Sequence, residues 1–354
     1  MTYDHASSDS ETATPDSKTA TPTTASPLLV TGLPRTGTSW VGKMLEASGE
    51  VVYVNEPLNP QHPPGQSPGV LNARVTHRFQ YICDENEGEW LPAFRRTVAL
   101  RYGFLAELRR NRSWYDLGRL VKYGTAFTVG RWRGRRALLN DPFAVLSVPW
   151  LVRRLGCRAV VLVRDPVALV GSWRRLGWQV HFHELLEQPL LVRDLLGEHV
   201  ETMRSLIGIP DPIARIATLW CLVYRIVDQH YRTIPGVTVR RYEDLARHPL
   251  DGFAELYDFF GLTWRDRVRA KILAACASGD RVDDAHRWTL RFGLSKTAFR
   301  PLNSAAALDS YRSRLSEAEI ARVRALTADV AARFYPETTS VPDGSLSSSP
   351  QVRL

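Results

Sequence analysis

Short apolar runs, each followed by a helical pattern, are the feature that most constrains the fold of this chain. Four runs rich in Val and Leu lie at residues 28–31, 51–54, 137–139 and 158–163, and a weaker fifth lies at 237–240. Apolar runs of this length are typical of strands buried on both faces, as in a parallel sheet. Helical patterns follow at residues 38–47, 143–155, 167–176 and 212–231. The alternation predicts a three-layer α/β fold, in which a central, mainly parallel five-stranded sheet is flanked by helices.

Composition bounds the domain organisation. Hydrophobic residues make up 44% and charged residues 23% of the 354 residues, values typical of globular proteins. No apolar run approaches the roughly 20 residues that cross a bilayer, and residues 1–26 contain no apolar stretch of a secretory signal. Residues 1–26 and 337–354 are rich in Ser, Thr and Pro, which predicts a disordered leader and a disordered tail. We expect one domain over residues 27–336, located in the cytoplasm and without a membrane span.

The charged residues favour an anionic partner. The net charge is +9, and only five of the 46 basic residues are lysines. Arginine binds phosphate and sulfate bidentately, so this composition suits either a nucleic acid or a phosphorylated small molecule. The arginines are dispersed along the chain and accompany no nucleic-acid-binding motif, so we expect no nucleic acid partner. The four cysteines form no CxxC pair, and the sequence predicts no metal site.

A glycine-rich turn between the first strand and the first helix has the pattern of a phosphate-binding loop. Gly32 and Gly37 have the spacing of a P-loop, and Ser39 stands where that motif has its Ser or Thr. Thr38 occupies the position of the usual lysine, whereas Arg35 brings a positive charge into the loop. Backbone N–H groups and the positive end of the helix would bind an anion there. Without the lysine, the loop suits a smaller anion better than a Mg²⁺-bound triphosphate.

The end of the fourth strand carries a second candidate anion site. Arg164, Asp165 and Pro166 follow this strand, and Ser172 lies on the first turns of the next helix. Arg164 can bind a phosphate bidentately, and Ser172 can donate its hydroxyl. An alternative is a Walker B strand with Asp165 on Mg²⁺, which the adjacent Arg164 and the missing loop lysine disfavour.

The two loops together resemble the PAPS-dependent sulfotransferases of bacterial type, whose donor is 3′-phosphoadenosine 5′-phosphosulfate (PAPS). The run Pro34-Arg35-Thr36-Gly37-Thr38-Ser39-Trp40 matches every position of the family's 5′-phosphosulfate loop. Arg164-Asp165-Pro166 and Ser172 match its 3′-phosphate site, and Tyr242 stands in a Tyr-Glu-Asp-Leu motif. The resemblance implies a P-loop-like fold and a cofactor-binding set consisting of Arg35, Thr36, Gly37, Thr38, Ser39, Trp40, Arg164, Ser172 and Tyr242.

The family also has a late basic segment that closes over the nucleotide. The nearest candidates in this chain are Ser295, Lys296 and Arg300, and their match is poor. We therefore assign no role to this segment.

Three strand ends offer candidates for catalysis by resemblance. Arg35 is expected to stabilise the migrating sulfuryl group, because Asn140 replaces the lysine that relatives often have after the third strand. Glu56, in a Glu-Pro-Leu run similar to that of carbohydrate sulfotransferases, is the leading general base, and Asp141 is the second candidate. His181 and His183 are further alternatives for the base, although core or solvent-facing histidines are the more common case.

The expected activity is sulfuryl transfer from PAPS to a hydroxyl of a small-molecule, carbohydrate or lipid acceptor, with no metal. A P-loop kinase or nucleotidase is the alternative, and a non-catalytic nucleic-acid-binding protein is the third. The sequence leaves the acceptor and a homodimer open. Residues 79–132 are rich in aromatic and arginine residues, and we expect an inserted helical layer there that forms the substrate side.

Overall fold

The computed structural model describes residues 26–60, 70–110, 113–277 and 314–336. Within these residues one sheet contains five strands: β1 (Leu28–Gly32), β2 (Val51–Asn55), β3 (Arg136–Asn140), β4 (Arg158–Val163) and β5 (Val237–Arg241). Their spatial order is β2-β3-β1-β4-β5, and every neighbouring pair is parallel. The predicted α/β class is therefore confirmed. The predicted strands agree with the observed ones to within one residue at either end.

The helices before β4 include an insertion between β2 and β3. Their bounds are α1 (Thr38–Glu46), α2 (Trp90–Val98), α3 (Phe104–Arg110), α4 (Trp114–Trp132) and α5 (Val148–Leu155). The predicted helix over residues 143–155 is divided into a 3₁₀ turn (Pro142–Ser147) and α5. Inside a continuous helix, Pro149 would leave one backbone hydrogen bond unmade because it has no N–H. In the first turn of α5 no such bond is needed, so a new helix begins just before Pro149.

The helices after β4 are α6 (Pro166–Leu176), α7 (Phe182–Leu186), α8 (Pro189–Leu191), α9 (Val200–Ser205), α10 (Pro212–Ile226), α11 (Tyr242–Arg247), α12 (Pro249–Phe260), α13 (Asp266–Ala277) and α14 (Glu317–Ala331). The predicted helix over 212–231 ends as α at Ile226 and continues as a π turn to Tyr231. Ser316 and Glu319 form a complete capping box at the start of α14. Among the described residues, no helix is long and apolar enough to cross a membrane.

Alternate residues of β1 to β4 enter two separate cores. Leu28, Val30 and Leu138 lie in a core with α1, α11, α12 and α13 on one face, and Leu29, Leu139 and Val161 lie in a second core with helices that include α5, α6, α10 and α14 on the opposite face. Because all strands are parallel, their carboxyl ends meet at one edge, with Gly32 level with Leu162 and Asn55 level with Asn140. In sheets of this kind ligands bind at that edge, between neighbouring strands whose connections leave in opposite directions. β1 and β4 are such a pair.

Candidate active site

The loop after β1 is shaped by two glycines with positive φ. A Cβ on Gly32 (φ 141°) would lie 2.4 Å from the Leu162 carbonyl oxygen, and one on Gly37 (φ 96°) would lie 2.5 Å from the Tyr242 ring. A side chain at either position is therefore excluded by sterics and by backbone conformation. Thr36 is fully buried and directs both its N–H and its hydroxyl to the Leu33 carbonyl, so it shapes the loop.

Aromatic donors from α6 and α10 hold this loop in place. Trp173 Nε1 donates to the Pro34 carbonyl oxygen at 2.8 Å. The Tyr224 hydroxyl donates to the Leu162 carbonyl at 2.9 Å and accepts from the Leu33 N–H at 3.4 Å. These hydrogen bonds attach the loop to β4 and to the core that contains Leu29 and Val161.

The first turn of α1 is built like an anion site. The helix begins at Thr38, has Gly37 at its N-cap without a side-chain cap, and has no acid in its first turn. The N–H groups of such a turn have no partner within the helix and carry the positive end of its dipole. Thr38 is buried, whereas Ser39 is half-buried and hydrogen-bonds the Tyr53 phenol. Arg35 stands before this turn with a φ of 78°, a strained value for a residue with a Cβ.

The two predicted anion sites adjoin each other. Arg164 donates from a terminal guanidinium nitrogen to the Arg35 carbonyl oxygen at 2.8 Å, and Arg35 Nε donates to Ser172 Oγ at 3.3 Å. Trp220 Nε1 fixes the Arg164 backbone by donating to its carbonyl oxygen at 2.9 Å. The structure thus brings Arg35, Arg164 and Ser172 into one site, in the crevice between β1 and β4.

Four arginines converge at this crevice. Burial lowers the pKa of Arg35, and the charges of Arg164, Arg175 and Arg314 lower it further. The pKa of Arg314 is lowered by burial and by Arg175 and Arg164. Within the described part of the chain none of the four forms an ion pair with an acid. Such a concentration of like charge is stabilised by a bound anion.

Sequence reasoning missed Arg175 and Arg314. Arg175 lies three residues after Ser172 on α6, a spacing that places both on one side of a helix and could have identified it. Arg314 is distant in sequence from every motif, and only the tertiary fold brings it to the site. The late candidates Ser295, Lys296 and Arg300 lie outside the described residues.

Tyr242 and Trp40 form two layers beside the loop. Tyr242 is buried at the start of α11, with its ring against Gly37 and 4.8 Å from the Arg164 guanidinium carbon. Trp40 lies behind it, edge-on to Tyr242 at 5.6 Å and to Phe253 at 5.1 Å. Tyr242 therefore borders the crevice, whereas Trp40 packs in the core below it.

The acids next to the crevice all have partners within the fold. Asp165 caps α6 by accepting from the Ala168 N–H at 3.0 Å. Its own N–H donates to buried Glu243 at 3.0 Å, and the Tyr335 hydroxyl donates to the second Glu243 oxygen at 2.9 Å. Asp244 pairs with Arg241 at 2.7 Å. The capping role of Asp165 argues against the Walker B interpretation.

Glu56 and Asp141 lie together at the ends of β2 and β3. The Glu56 N–H donates to the Asn140 carbonyl at 2.9 Å, and Glu56 Oε2 accepts from Asn59 Nδ2 at 2.6 Å. Glu56 has a φ of 44°, a second strained non-glycine residue at this edge. Burial raises the pKa of the Glu56 carboxyl, and the Asn59 hydrogen bond lowers it in part.

Asp141 is buried, and both of its carboxylate oxygens accept backbone N–H groups. Leu58 N–H donates to Oδ2 at 2.6 Å, and Phe143 N–H donates to Oδ1 at 2.9 Å. The pKa of Asp141 is raised to about 8, because burial and the nearby Glu56 raise it by more than the two N–H donors lower it. Asp141 therefore joins the loop after β2 to the 3₁₀ turn after β3.

A partly open cavity of about 260 Å³ begins at the phosphate loop. Pro34 lines it together with four aromatic rings, those of Phe79, Phe143, Trp173 and Trp178, and with His181. Burial and the nearby Arg78 lower the pKa of His181. His183 and Glu184 lie close to His181, and both carboxylate oxygens of Glu184 are hydrogen-bonded to Arg78, by its backbone N–H and its guanidinium.

Comparison with known proteins then assigns the family. The family model described as "Sulfotransferase family" matches residues 27–266, about two thirds of the chain. The chain belongs to the sulfotransferase family. The match includes every residue of the crevice between β1 and β4 except Arg314, so the sequence-based recognition is confirmed.

Solved sulfotransferase structures are similar at low identity. The sulfotransferase domain of the curacin biosynthetic pathway is 12% identical, with 86% of this chain and 98% of that chain covered and a TM-score of 0.41. The sulfotransferase domain of the Synechococcus PCC 7002 olefin synthase is 16% identical, with 90% and 97% covered and a TM-score of 0.42. Mouse sulfotransferase SULT7A1 complexed with PAP is 12% identical, with 88% of each chain covered and a TM-score of 0.39. No curated protein sequence matches this chain.

The geometry suits the chemistry of a sulfotransferase. Transfer of a sulfuryl group requires fixed positive charge around the migrating group and an acceptor oxygen in line with it. Arg35 supplies a cation in the loop itself, and the cavity that begins at Pro34 leaves room for an acceptor.

Proposed function

We propose that this sulfotransferase moves the sulfuryl group of PAPS to a hydroxyl of a small-molecule, carbohydrate or lipid acceptor. The observation that carries the proposal is the 2.8 Å hydrogen bond between Arg164 and the Arg35 carbonyl, which makes one site of two cationic loops. The donor has a phosphate at each end of its adenosine unit. A site with two adjoining cationic regions, and with no acid paired to them in the part of the chain that the structure describes, matches that distribution of charge.

The residues of the crevice divide between the two ends of the donor. Arg35 and the N–H groups of Gly37, Thr38 and Ser39 would hold the 5′-phosphosulfate. Arg164 and Ser172 would hold the 3′-phosphate, and Arg175 and Arg314 would add positive charge to the same site. Tyr242 would contact the nucleotide with its ring, and Trp40 would support Tyr242 from behind.

Glu56 is the base that we propose for the acceptor hydroxyl. Its raised pKa brings a carboxylate closer to the range in which general bases work. In the reaction the acceptor oxygen forms a bond to sulfur, the bond from sulfur to the donor phosphate breaks, and the acceptor proton passes to the carboxylate. Asp141 would act as a positioning residue, because its oxygens already hold the N–H groups of Leu58 and Phe143.

The cavity at Pro34 is the proposed acceptor site. Phe79, Phe143, Trp173 and Trp178 give it an aromatic wall that packs equally well against a sugar ring, a lipid chain or an aromatic ring. Arg78 and Phe79 come from the segment inserted between β2 and β3, so the insertion contributes to this side.

The test is a screen for sulfated products. The protein is incubated with PAPS and a panel of sugar, lipid and phenolic alcohols without added metal, and products are analysed by mass spectrometry. We expect one acceptor class to gain a single sulfuryl group with wild-type protein and not with Arg35→Ala. Phosphorylated products from ATP and Mg²⁺, with none from PAPS, would instead support the kinase alternative.

A further inference from the structure

The outer side of the inserted helices carries an exposed row of apolar side chains. On α4 the row consists of Trp114, Leu117, Val121 and Trp132, of which Trp114 is 87% and Trp132 is 83% exposed. These positions are separated by three, four and eleven residues, which are close to one, one and three helical turns, so they lie on one line along the helix. We call them the α4 stripe. Thr125 and Thr128 continue the line between Val121 and Trp132, and both are exposed.

The neighbouring helix α3 extends the exposed apolar area. Leu105 and Leu108 on α3 are 73% and 58% exposed. The two helices pack together through Phe104, whose ring lies against Gly124 of α4 so closely that a Cβ there would be 2.4 Å away. Single apolar residues scattered over a surface are common. Two almost fully exposed tryptophans and several exposed leucines on one pair of helices instead form a continuous apolar patch, which is typical of an interaction site.

Basic residues surround the α4 stripe. Residues 101–135 contain nine basic and two acidic residues, a net charge of +7 out of +9 for the whole chain. The acids, Glu107 and Asp116, are 1% and 8% exposed, so the exposed charge of this segment is positive. Five basic residues of this segment are exposed and have no acidic partner among the described residues: Arg101, Arg109, Lys122, Arg131 and Arg133.

The orientation of α4 brings one end of the stripe beyond the active-site edge. Gly130 packs against Val52, early in β2, and α4 leads directly into β3, so the helix runs antiparallel to the strands. From Gly130 back to Trp114 the helix rises about 24 Å. From Val52 the strand extends only about 10 Å to its end at Asn55. The Trp114 end therefore projects past the edge where the strands end.

We propose that α3 and α4 bind the surface of an anionic lipid membrane, with the α4 stripe in the interfacial layer and the basic side chains on the lipid headgroups. An amphipathic helix with a straight apolar row, tryptophans and flanking cations is the pattern that lies in the plane of such an interface. A second copy of the chain is disfavoured as occupant, because a two-fold contact would bring together two copies of a segment whose net charge is +7. The binding is independent of the proposed function.

The test is flotation of the full-length protein with vesicles of phosphatidylcholine, with and without phosphatidylserine. Wild-type protein is expected to bind the serine-containing vesicles and to be released by high salt. Trp114→Ala/Trp132→Ala and, separately, Lys122→Glu/Arg131→Glu should each weaken this binding by about tenfold or more. The matched control is Leu273→Ala/Leu326→Ala, which removes two exposed leucines (48% and 45%) from α13 and α14 and should bind like wild type.

All of these side chains are exposed, and an unchanged melting temperature verifies that each variant folds. Failure of wild type to bind serine-containing vesicles would overturn the proposal, as would equal binding by wild type and both α4 variants. Light scattering supplies a further readout. If Trp114→Ala/Trp132→Ala converts a dimer to a monomer and leaves vesicle binding unchanged, the surface joins two copies and the proposal is wrong.

Discussion

The tips of β1 and β4 carry arginines, whereas the tips of β2 and β3, on the same edge of the sheet, carry carboxylic acids. Arg35 and Arg164 lie beside further arginines and have no acidic partner among the described residues. Asp141 is buried and Glu56 is half-buried, and loss of solvent raises the pKa of both carboxyls. One half of the edge therefore favours a bound anion, and the other half favours a bound proton.

This difference shows how one fold separates two tasks of a transfer reaction. Buried arginines remain protonated because their ordinary pKa lies far above neutrality. The free-energy cost of removing their charge from water is therefore offset by an anionic ligand. A buried carboxyl avoids the corresponding cost of a buried negative charge by binding a proton. If the comparison holds, substitutions in the first half should change donor binding, and substitutions in the second half should change proton transfer or stability.

The largest expected effect is that of Arg35→Ala on turnover. Removing the only cationic side chain within the loop should lower kcat by about 10³-fold, because a fixed charge near the migrating group is lost. The measurement is the rate of product formation at saturating PAPS with the acceptor found in the screen. Arg193→Ala, which removes an exposed arginine paired with Glu85, is the control and should retain full activity. A rate for Arg35→Ala within tenfold of wild type would contradict the assignment.

Glu56→Gln should lower kcat by about 10²-fold or more, because proton transfer is affected. The affinity for PAP (adenosine 3′,5′-bisphosphate, the nucleotide product) should be unchanged. The rate is measured at saturating PAPS, and the affinity by calorimetry. Asp141→Asn is the comparison: it should lower the melting temperature and retain more activity than Glu56→Gln. Full activity of Glu56→Gln would eliminate Glu56 as the base.

Two adjacent arginines on α6 provide a matched pair for the anion site. Arg175 contributes its charge to the crevice, whereas Arg174 forms an ion pair with Glu319. Arg175→Ala should weaken PAP binding by about tenfold, the scale of one charge-assisted interaction at a partly buried site. Arg174→Ala should bind PAP like wild type. Equal losses in both variants would mean that general surface charge, and not this crevice, attracts the nucleotide.

The remaining prediction concerns stability and not activity, and it is a pH dependence of the free energy of unfolding from Asp141. Because its pKa is raised to about 8 in the folded protein, the fold binds this proton more tightly than the unfolded chain does. This contribution to stability is present at acid pH and is lost as the pH rises towards 8, by at most about 1.4 kcal/mol per pH unit.

The measurement is the free energy of unfolding by urea for wild type and Asp141→Asn between pH 5 and pH 8. The free energy of unfolding of wild type should fall relative to that of Asp141→Asn as the pH rises. A difference that stays constant over this range would show that Asp141 is already ionised at pH 5.

Much of the sheet and the centre of the site follow from local sequence. The strands are continuous apolar runs, and the loop from Gly32 to Trp40 combines glycine spacing with a helix start, so both were predictable residue by residue. Arg314 was not, because its proximity to Arg164 arises only from packing of distant segments. The helix breaks at Ser147 and Ile226 were missed because the apolar pattern continues through them.

The aromatic insertion was predicted only in part. Five aromatic residues there lie in the core as expected, namely Phe79, Trp90, Phe94, Tyr102 and Phe127. Trp114 and Trp132 are exposed, although their residue type predicts burial. Composition alone cannot separate these two groups, since the same ring packs equally well inside a protein or at an interface.

The most direct test of the central claim compares two nucleotides that differ only in the 3′-phosphate. Calorimetry in EDTA measures the binding of PAP and of AMP to wild type and to Arg164→Ala. Wild type should bind PAP about 100-fold more tightly than AMP, and Arg164→Ala should lose most of that preference while its affinity for AMP changes little. If Arg164→Ala keeps the full preference for PAP, Arg164 does not hold the 3′-phosphate, and the two loops do not form one donor site.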